Sequence, residues 1–198
     1  MPLPCDLPYE AIWVIDFEFV APPGERPQPL CLVAEDLKSR RELRIWRDEL
    51  RSMRVPPYDT GRSSLFVAHT SSAEWNCHLA LDWPLPVNVF DTYAEFRALT
   101  NGHVAPKAGL IHALAYFKLE AMSAAEKDAM RELILQRESW TDDEVRAIMN
   151  YCHRDVDGTA RLFAAMLPHV DLGRALLRGR YMCSVAAMET RGIPIDLP

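Results

Sequence analysis

The sequence predicts an α/β domain built on a mixed five-stranded sheet, with three strands in an antiparallel meander, two parallel strands, and helices on the flanks. Three observations predict it. Three strand-like runs come first, joined by short polar turns. Strand and helix patterns then alternate, which implies a partly parallel sheet. The C-terminal part is helical, and two of its helices open with Ser/Thr-x-x-Glu capping boxes.

Residues 11–21 (AIWVIDFEFVA) are rich in β-branched and aromatic side chains and end at Pro22-Pro23-Gly24, so they read as a strand with both faces largely apolar. Residues 30–35 (LCLVAE) and 42–46 (ELRIW) complete the meander, with a polar turn over 36–41. A short helix over 48–53 leads into the breaker-rich loop VPPYDTGRSS, and 65–68 (LFVA) is a short buried strand. A helix over 73–81, a strand over 87–90 and a helix over 93–99 follow, the last closed by Asn101-Gly102. Ser123/Glu126 and Thr141/Glu144 form the two capping boxes, and the second opens a long amphipathic run to residue 167. A further helical stretch after Pro168 is stopped by Gly192 and Pro194. No internal repeat or composition shift divides the chain.

At 198 residues, 49% hydrophobic and 25% charged, the chain suits one globular domain with a real core and excludes wholesale disorder or a fibre. No run approaches the roughly 20 apolar residues of a membrane span, and MPLPCDLPYE lacks the pattern of a secretory signal. The expectation is a cytoplasmic protein with no membrane partner. Five scattered Cys without a CxxC pair fit reduced thiols. Cys77-His78 and Cys152-His153 are weak zinc candidates, since adjacent residues rarely present both side chains to one ion. The net charge of −6 argues against a wide basic clamp on duplex DNA, and leaves open a small nucleic-acid site built on bound cations. The basic stretch over 38–54 reads as a solvated strand and helix.

Carboxylates carry the functional argument. Asp16 and Glu18 lie two apart in the first strand and leave the face that also carries Ile12, Val14 and Val20. Unpaired buried carboxylates are costly and repel each other, so a hard divalent cation held by oxygen ligands is the natural reason for them; the alternative is a solvated sheet edge. Tyr151 and Asp155 are neighbours at i and i+4 on the long helix, which buries Val145, Ile148, Cys152, Val156, Thr159 and Phe163. Asp155 falls within or beside that stripe and asks for an Arg partner or the same metal.

Together, IDFEF and YCHRD resemble the first and third motifs of the DEDD superfamily of 3′-to-5′ exonucleases, in the subclass ending Tyr-x-x-x-Asp. The context YCHRDVDGTARLF, the intervening VFDTYAEFRALTNG and the order of elements look most like the proofreading domain of family A DNA polymerases of the phage type. The resemblance spans residues 11–167 and implies a ribonuclease H-like sheet. The second motif departs from the family: where an Asn is followed four residues later by an Asp, FVAHTSSAEWNCHLAL has Thr70 and Glu74. Glu74 is therefore either the site acid or the closing residue of a Ser71–Glu74 capping box. Asp91 is the rival acid, better explained as a helix N-cap.

The resemblance implies two divalent ions, Mg²⁺ or Mn²⁺, with Asp16 bridging them, Glu18 and Asp155 completing the shell of the first ion, Glu74 supporting the second and Tyr151 orienting the attacking water. The substrate would be a single-stranded or frayed DNA 3′ end, stacked on aromatic or apolar side chains. Phe17 and Phe19 point away from the acids and read as core. RGRYM and the GIPID ending resemble the segment joining exonuclease to polymerase, so residues 1–168 read as the exonuclease domain and 169–198 as a helical lead towards a polymerase domain in the same longer chain. Two rivals stand: an RNA-trimming exonuclease of the RNase D kind, and a catalytically silent domain that holds a primer end.

Overall fold

Strand β1 (Ala11–Val20) lies at the centre of a five-stranded sheet in the order β3-β2-β1-β4-β5. The computed structural model describes residues 6–22, 24–101, 103, 108–137 and 139–192. Cys5, Pro23, Gly102 and Pro194, with the GIPID ending past Gly192, lie outside the described residues. β1 pairs antiparallel with β2 (Gln28–Asp36), and β2 pairs antiparallel with β3 (Glu42–Trp46). On its other side β1 runs parallel to β4 (Ser64–Ala68), which is parallel to β5 (Val89–Asp91). The expected meander and parallel pair are both present.

The period-two pattern of β1 sorts its apolar residues into two cores. Ile12 and Val14 join Cys31, Val33, Leu65, Val67 and Phe90 beneath α6 (Asp142–Met166), which contributes Ile148, Cys152, Val156 and Phe163. Trp13, Ile15 and Phe17 join Leu32, Phe66 and Trp75 on the opposite face, under α2 (Ser72–Ala80) and α7 (Leu172–Arg191). Full burial of such side chains is worth about 1.5–3 kcal/mol each, which fixes the register of β1 and with it the side from which Asp16 and Glu18 emerge.

Caps delimit the helices much as the sequence indicates. Ser123 and Glu126 close the box opening α5 (Ala124–Leu135), and Thr141 and Glu144 close that of α6. Asp91 caps α3 (Thr92–Thr100) by accepting from the Ala94 N–H at 2.8 Å, and Asn101 ends it at φ 45°. A short α1 (Arg47–Ser52) follows β3. Helix α4 (Leu110–Tyr116) is not announced by the sequence: it has no side-chain cap and no acid in its first turn. Packing supplies what local signals lack, since Leu110, Ala113 and Leu114 bury against Phe96, Leu162 and Met166.

Two irregularities position the functional residues. The β1–β4 ladder ends at Val14 and Val67, whereas β1 continues beside β2 to Val20. Between Glu18 and Phe19 the β1–β2 register shifts, with Glu18 opposite Cys31 and Phe19 opposite Pro29, so Leu30 is the extra residue. α7 closes the far side of the sheet at Gly179, where a Cβ would lie 1.9 Å from the Val89 carbonyl oxygen. Arg178, one residue earlier, makes two hydrogen bonds to the buried Glu95 at 2.5 and 2.6 Å.

Gly179→Ala therefore drives a methyl group into β5 main chain. We expect a loss of about 3 kcal/mol of stability, read as a lower midpoint in thermal or urea unfolding; an unchanged midpoint would mean that α7 does not sit on β5.

Candidate active site

Beyond Val14, β1 has left β4, and its acids emerge into a cavity of about 590 Å³. Asp16, Glu18, Glu74, Tyr151 and Asp155 all line it. The structure thus brings together, from β1, α2 and α6, the five residues the sequence singles out. The turn of α6 delivers Tyr151 and Asp155 as a pair, while Cys152 and Val156 anchor the helix to the sheet.

Of the two sequence readings of Glu74, the structure removes the capping box. No capping box forms at α2, where Ser71 makes no side-chain cap bond. Instead the Ser71 N–H and hydroxyl both donate to Asp91 Oδ2 at 2.7 Å. Glu74 turns inward, and its Oε2 accepts from the Phe17 N–H at 2.8 Å, replacing the strand partner that β4 no longer provides. Asp91 uses its two oxygens for Ser71 and for the cap of α3, which ties the starts of the two helices together and accounts for its burial. Thr70 sits at φ 64°, in the left-handed region. A β-branched residue is strained there, and Asn is not.

The electrostatics follow from crowding. Burial, reinforced by the charge of Asp155, raises the Asp16 carboxyl from its ordinary 3.8 to about 8, against the opposing pull of Cys152 and Lys127. Burial pushes Glu18 and Glu74 well above the usual carboxylate range, and the charge of Asp16 adds to both. The Tyr151 hydroxyl is raised by burial and then by Asp155, Glu18 and Asp16, so it stays protonated.

Sequence reasoning missed three contributors. The Cys152 thiol donates to the main-chain oxygen and to Oδ2 of Asp16, both at 3.2 Å, and orients that carboxylate from the core side. Its adjacency to Tyr151 in the motif was the available signal. Lys127 and Arg131 of α5 line the cavity opposite the acids, and Lys127 Nζ stands 3.3 Å from Asp155 Oδ2. No local pattern announces that α5 lies over β1. Phe17 is buried in the core of the opposite face as expected, although it too borders the cavity, where its N–H meets Glu74; Phe19, past the bulge, is only partly buried and borders the cavity as well. The two Cys-His dipeptides do not form a zinc site: His78 is engaged by the Tyr58 hydroxyl and the Pro84 carbonyl, and His153 lies 3.8 Å from Glu42.

The donor set fits a hard divalent cation. Ligand atoms of Asp16, Glu18 and Cys152 lie within 4.8 Å of one another, and Glu74 and Asp155 line the same cavity. Four carboxylates crowd the cavity, and three of them, Asp16, Glu18 and Glu74, hold their protons more tightly than usual, an arrangement that bound positive charge relieves.

No family model and no curated protein matches the sequence. Solved structures do match. An apo nuclease superposes with a TM-score of 0.57 at 15% identity, covering 93% of this chain and 86% of its own. Brucella melitensis NrnC with bound Mg²⁺ gives 0.54 at 15% identity, covering 96% and 90%. Escherichia coli RNase D gives 0.59 at 16% identity over 93% of this chain and 46% of that one. The fold is ribonuclease H-like. Among the described residues no helix is long and apolar enough to cross a membrane.

Two outcomes are expected. A carboxyl whose affinity for protons rises on folding stabilises the fold most below its unfolded value and loses that contribution as pH rises towards the folded value. Metal-free protein should therefore lose stability between pH 3.8 and about 8, and Asp16→Asn should flatten that slope in urea titrations; an unaltered slope would show that Asp16 is not under this stress. Thr70→Asn should raise the unfolding midpoint, by about 1 kcal/mol in free energy, through relief of the left-handed strain.

Proposed function

We propose that the protein is a metal-dependent 3′-to-5′ exonuclease that releases nucleotide 5′-monophosphates from single-stranded or frayed DNA ends. The observation that carries this reading is the meeting of Asp16, Glu18, Glu74, Tyr151 and Asp155, from three separate elements, in one cavity. The likeness of fold to nucleases, one of them solved with Mg²⁺, favours the same reading.

Asp16, Glu18 and Asp155 would hold one ion, and Glu74, through the oxygen not committed to Phe17, would support a second together with Asp16. Bound there, Mg²⁺ or Mn²⁺ would lower the pKa of water and offset charge on the departing 3′ oxygen. Tyr151, its hydroxyl kept protonated, would hold the attacking water in line with the terminal phosphorus. Water oxygen bonds to phosphorus, the bond from phosphorus to the 3′ oxygen breaks, and that oxygen takes up a proton to become the new 3′-hydroxyl. Phe19 and Ala21 would form the apolar wall against which the terminal nucleoside rests. The resemblance of YCHRDVDGTARLF to the proofreading domain of family A DNA polymerases is what favours DNA as the substrate and proofreading as the role, which would place a polymerase domain in the same longer chain.

A second reading, an RNA-trimming exonuclease, is favoured by the likeness to RNase D, described as an exoribonuclease involved in structured RNA processing, and to NrnC bound to pGG. DNA and RNA oligonucleotides of one sequence, labelled at the 5′ end and incubated with Mg²⁺, Mn²⁺ or chelator, decide between them. We expect a ladder shortening from the 3′ end of DNA that chelator abolishes. Shortening of RNA alone would establish the second reading, and no shortening with either ion would leave a silent binding domain. Glu74→Gln keeps an acceptor for Phe17 and loses the charge; nucleotide release should fall about 10- to 100-fold with the unfolding midpoint unchanged or raised.

A further inference from the structure

Helix α5 lies along the mouth of the acidic cavity, anchored by the buried Ile134 and by Met130 and Leu133 against the first core. Its capping box fixes the first turn, so Lys127 and Arg131, at i and i+4, face the cavity together. Five acids line the cavity (Asp16, Glu18, Glu74, Asp128 and Asp155), and among the described residues Lys127 and Arg131 are the cations that do. Lys127 Nζ stands 3.3 Å from Asp155 Oδ2 and 6.0 Å from the centroid of the Tyr151 ring, with 39% of its side chain exposed.

That pairing is unequal. One ammonium cannot neutralise the cluster, and at this exposure an ion pair is worth little. A divalent ion drawn to Asp155 would repel the ammonium, and the four-carbon stem lets the charge swing away while staying at the cavity mouth. The phosphodiester of an incoming strand is the anion it would then meet, and Arg131 lies one turn further along the same face.

Resting on the exonuclease reading, we propose that Lys127 is a phosphate-binding residue of this site: it pairs with Asp155 until a divalent ion takes its place, and then holds a backbone phosphate of the bound strand. The two halves make opposite demands on one side chain. Losing the ammonium should help the ion and harm the strand. A lysine that merely bridges α5 and α6 would do neither.

Lys127→Gln removes the charge and keeps a shorter unbranched polar side chain, and Lys127→Arg preserves the charge. Calorimetric titration with Mn²⁺ should show the Gln variant binding about three- to fivefold more tightly than the parent. Anisotropy of a 5′-labelled DNA strand in Ca²⁺, read across a salt series, should show it binding about fivefold more weakly, with a log–log salt slope shallower by about 0.7. The Arg variant should restore the slope. Arg51→Ala on α1, which removes the same charge at an exposed position, should leave both readings at parental values. A Gln variant with parental salt slope, or with weaker Mn²⁺ binding, would overturn the proposal. Parent protein that shortens neither DNA nor RNA would overturn the exonuclease reading alone, because ion binding and strand binding are both measured without turnover.

Discussion

The structure turns on the crowding of carboxylates where β1 outruns β4. A strand that loses its neighbour exposes main-chain donors, and the chain meets this need with an acid from α2: Glu74 accepts from Phe17 N–H. The same departure opens the space into which Asp16 and Glu18 project. The hydrogen bond therefore both repairs the sheet and sets a third carboxylate beside two others. Burying such groups costs several kcal/mol each even after relaxation, and the donors present, a main-chain amide, a thiol and one lysine, offset only part of it. The remaining negative charge is the chemical content of the site.

Two buried acids in successive strand-to-helix connections show how donors decide a carboxylate's fate. Asp91 follows β5 and is buried, yet three donors from Ser71 and Ala94 satisfy it, and it serves as a fastening. Glu74, near the start of α2 after β4, receives one donor, the Phe17 N–H on Oε2, and lines the cavity. Residue type alone does not separate them. The difference lies in which backbone amides are unpaired nearby, and that is a property of the assembled sheet.

This also marks what was legible beforehand. The alternation of β1, the apolar stripe of α6 and the two capping boxes are local patterns, and each appears where the sequence placed it, with ends shifted by a residue or two. Asp16 and Glu18 were readable because acids are out of place on an apolar strand face, and Tyr151 and Asp155 because they share a helical face. Lys127, Arg131 and the Cys152 thiol contact were not, since each depends on which helix crosses which strand. The bulge that carries Phe19 to the cavity edge arises from an extra residue on β2, over ten positions away in the chain. α4 escaped for a related reason: it is held by tertiary packing rather than by its own caps.

The seat of α7 has a consequence for the order in which the molecule can be completed. Gly179 rests on Val89, Arg178 reaches Glu95, and Asn76 bonds Glu189 and Thr190, so the last described helix covers a face made by residues some 80 to 115 positions earlier. A nascent chain still lacking these turns presents β5 and α2 with their apolar side bare. The central strands can pair on the ribosome, but the layer behind the acidic cavity stays open until α7 has emerged, so an unfinished polypeptide carries exposed apolar surface of the kind that invites aggregation.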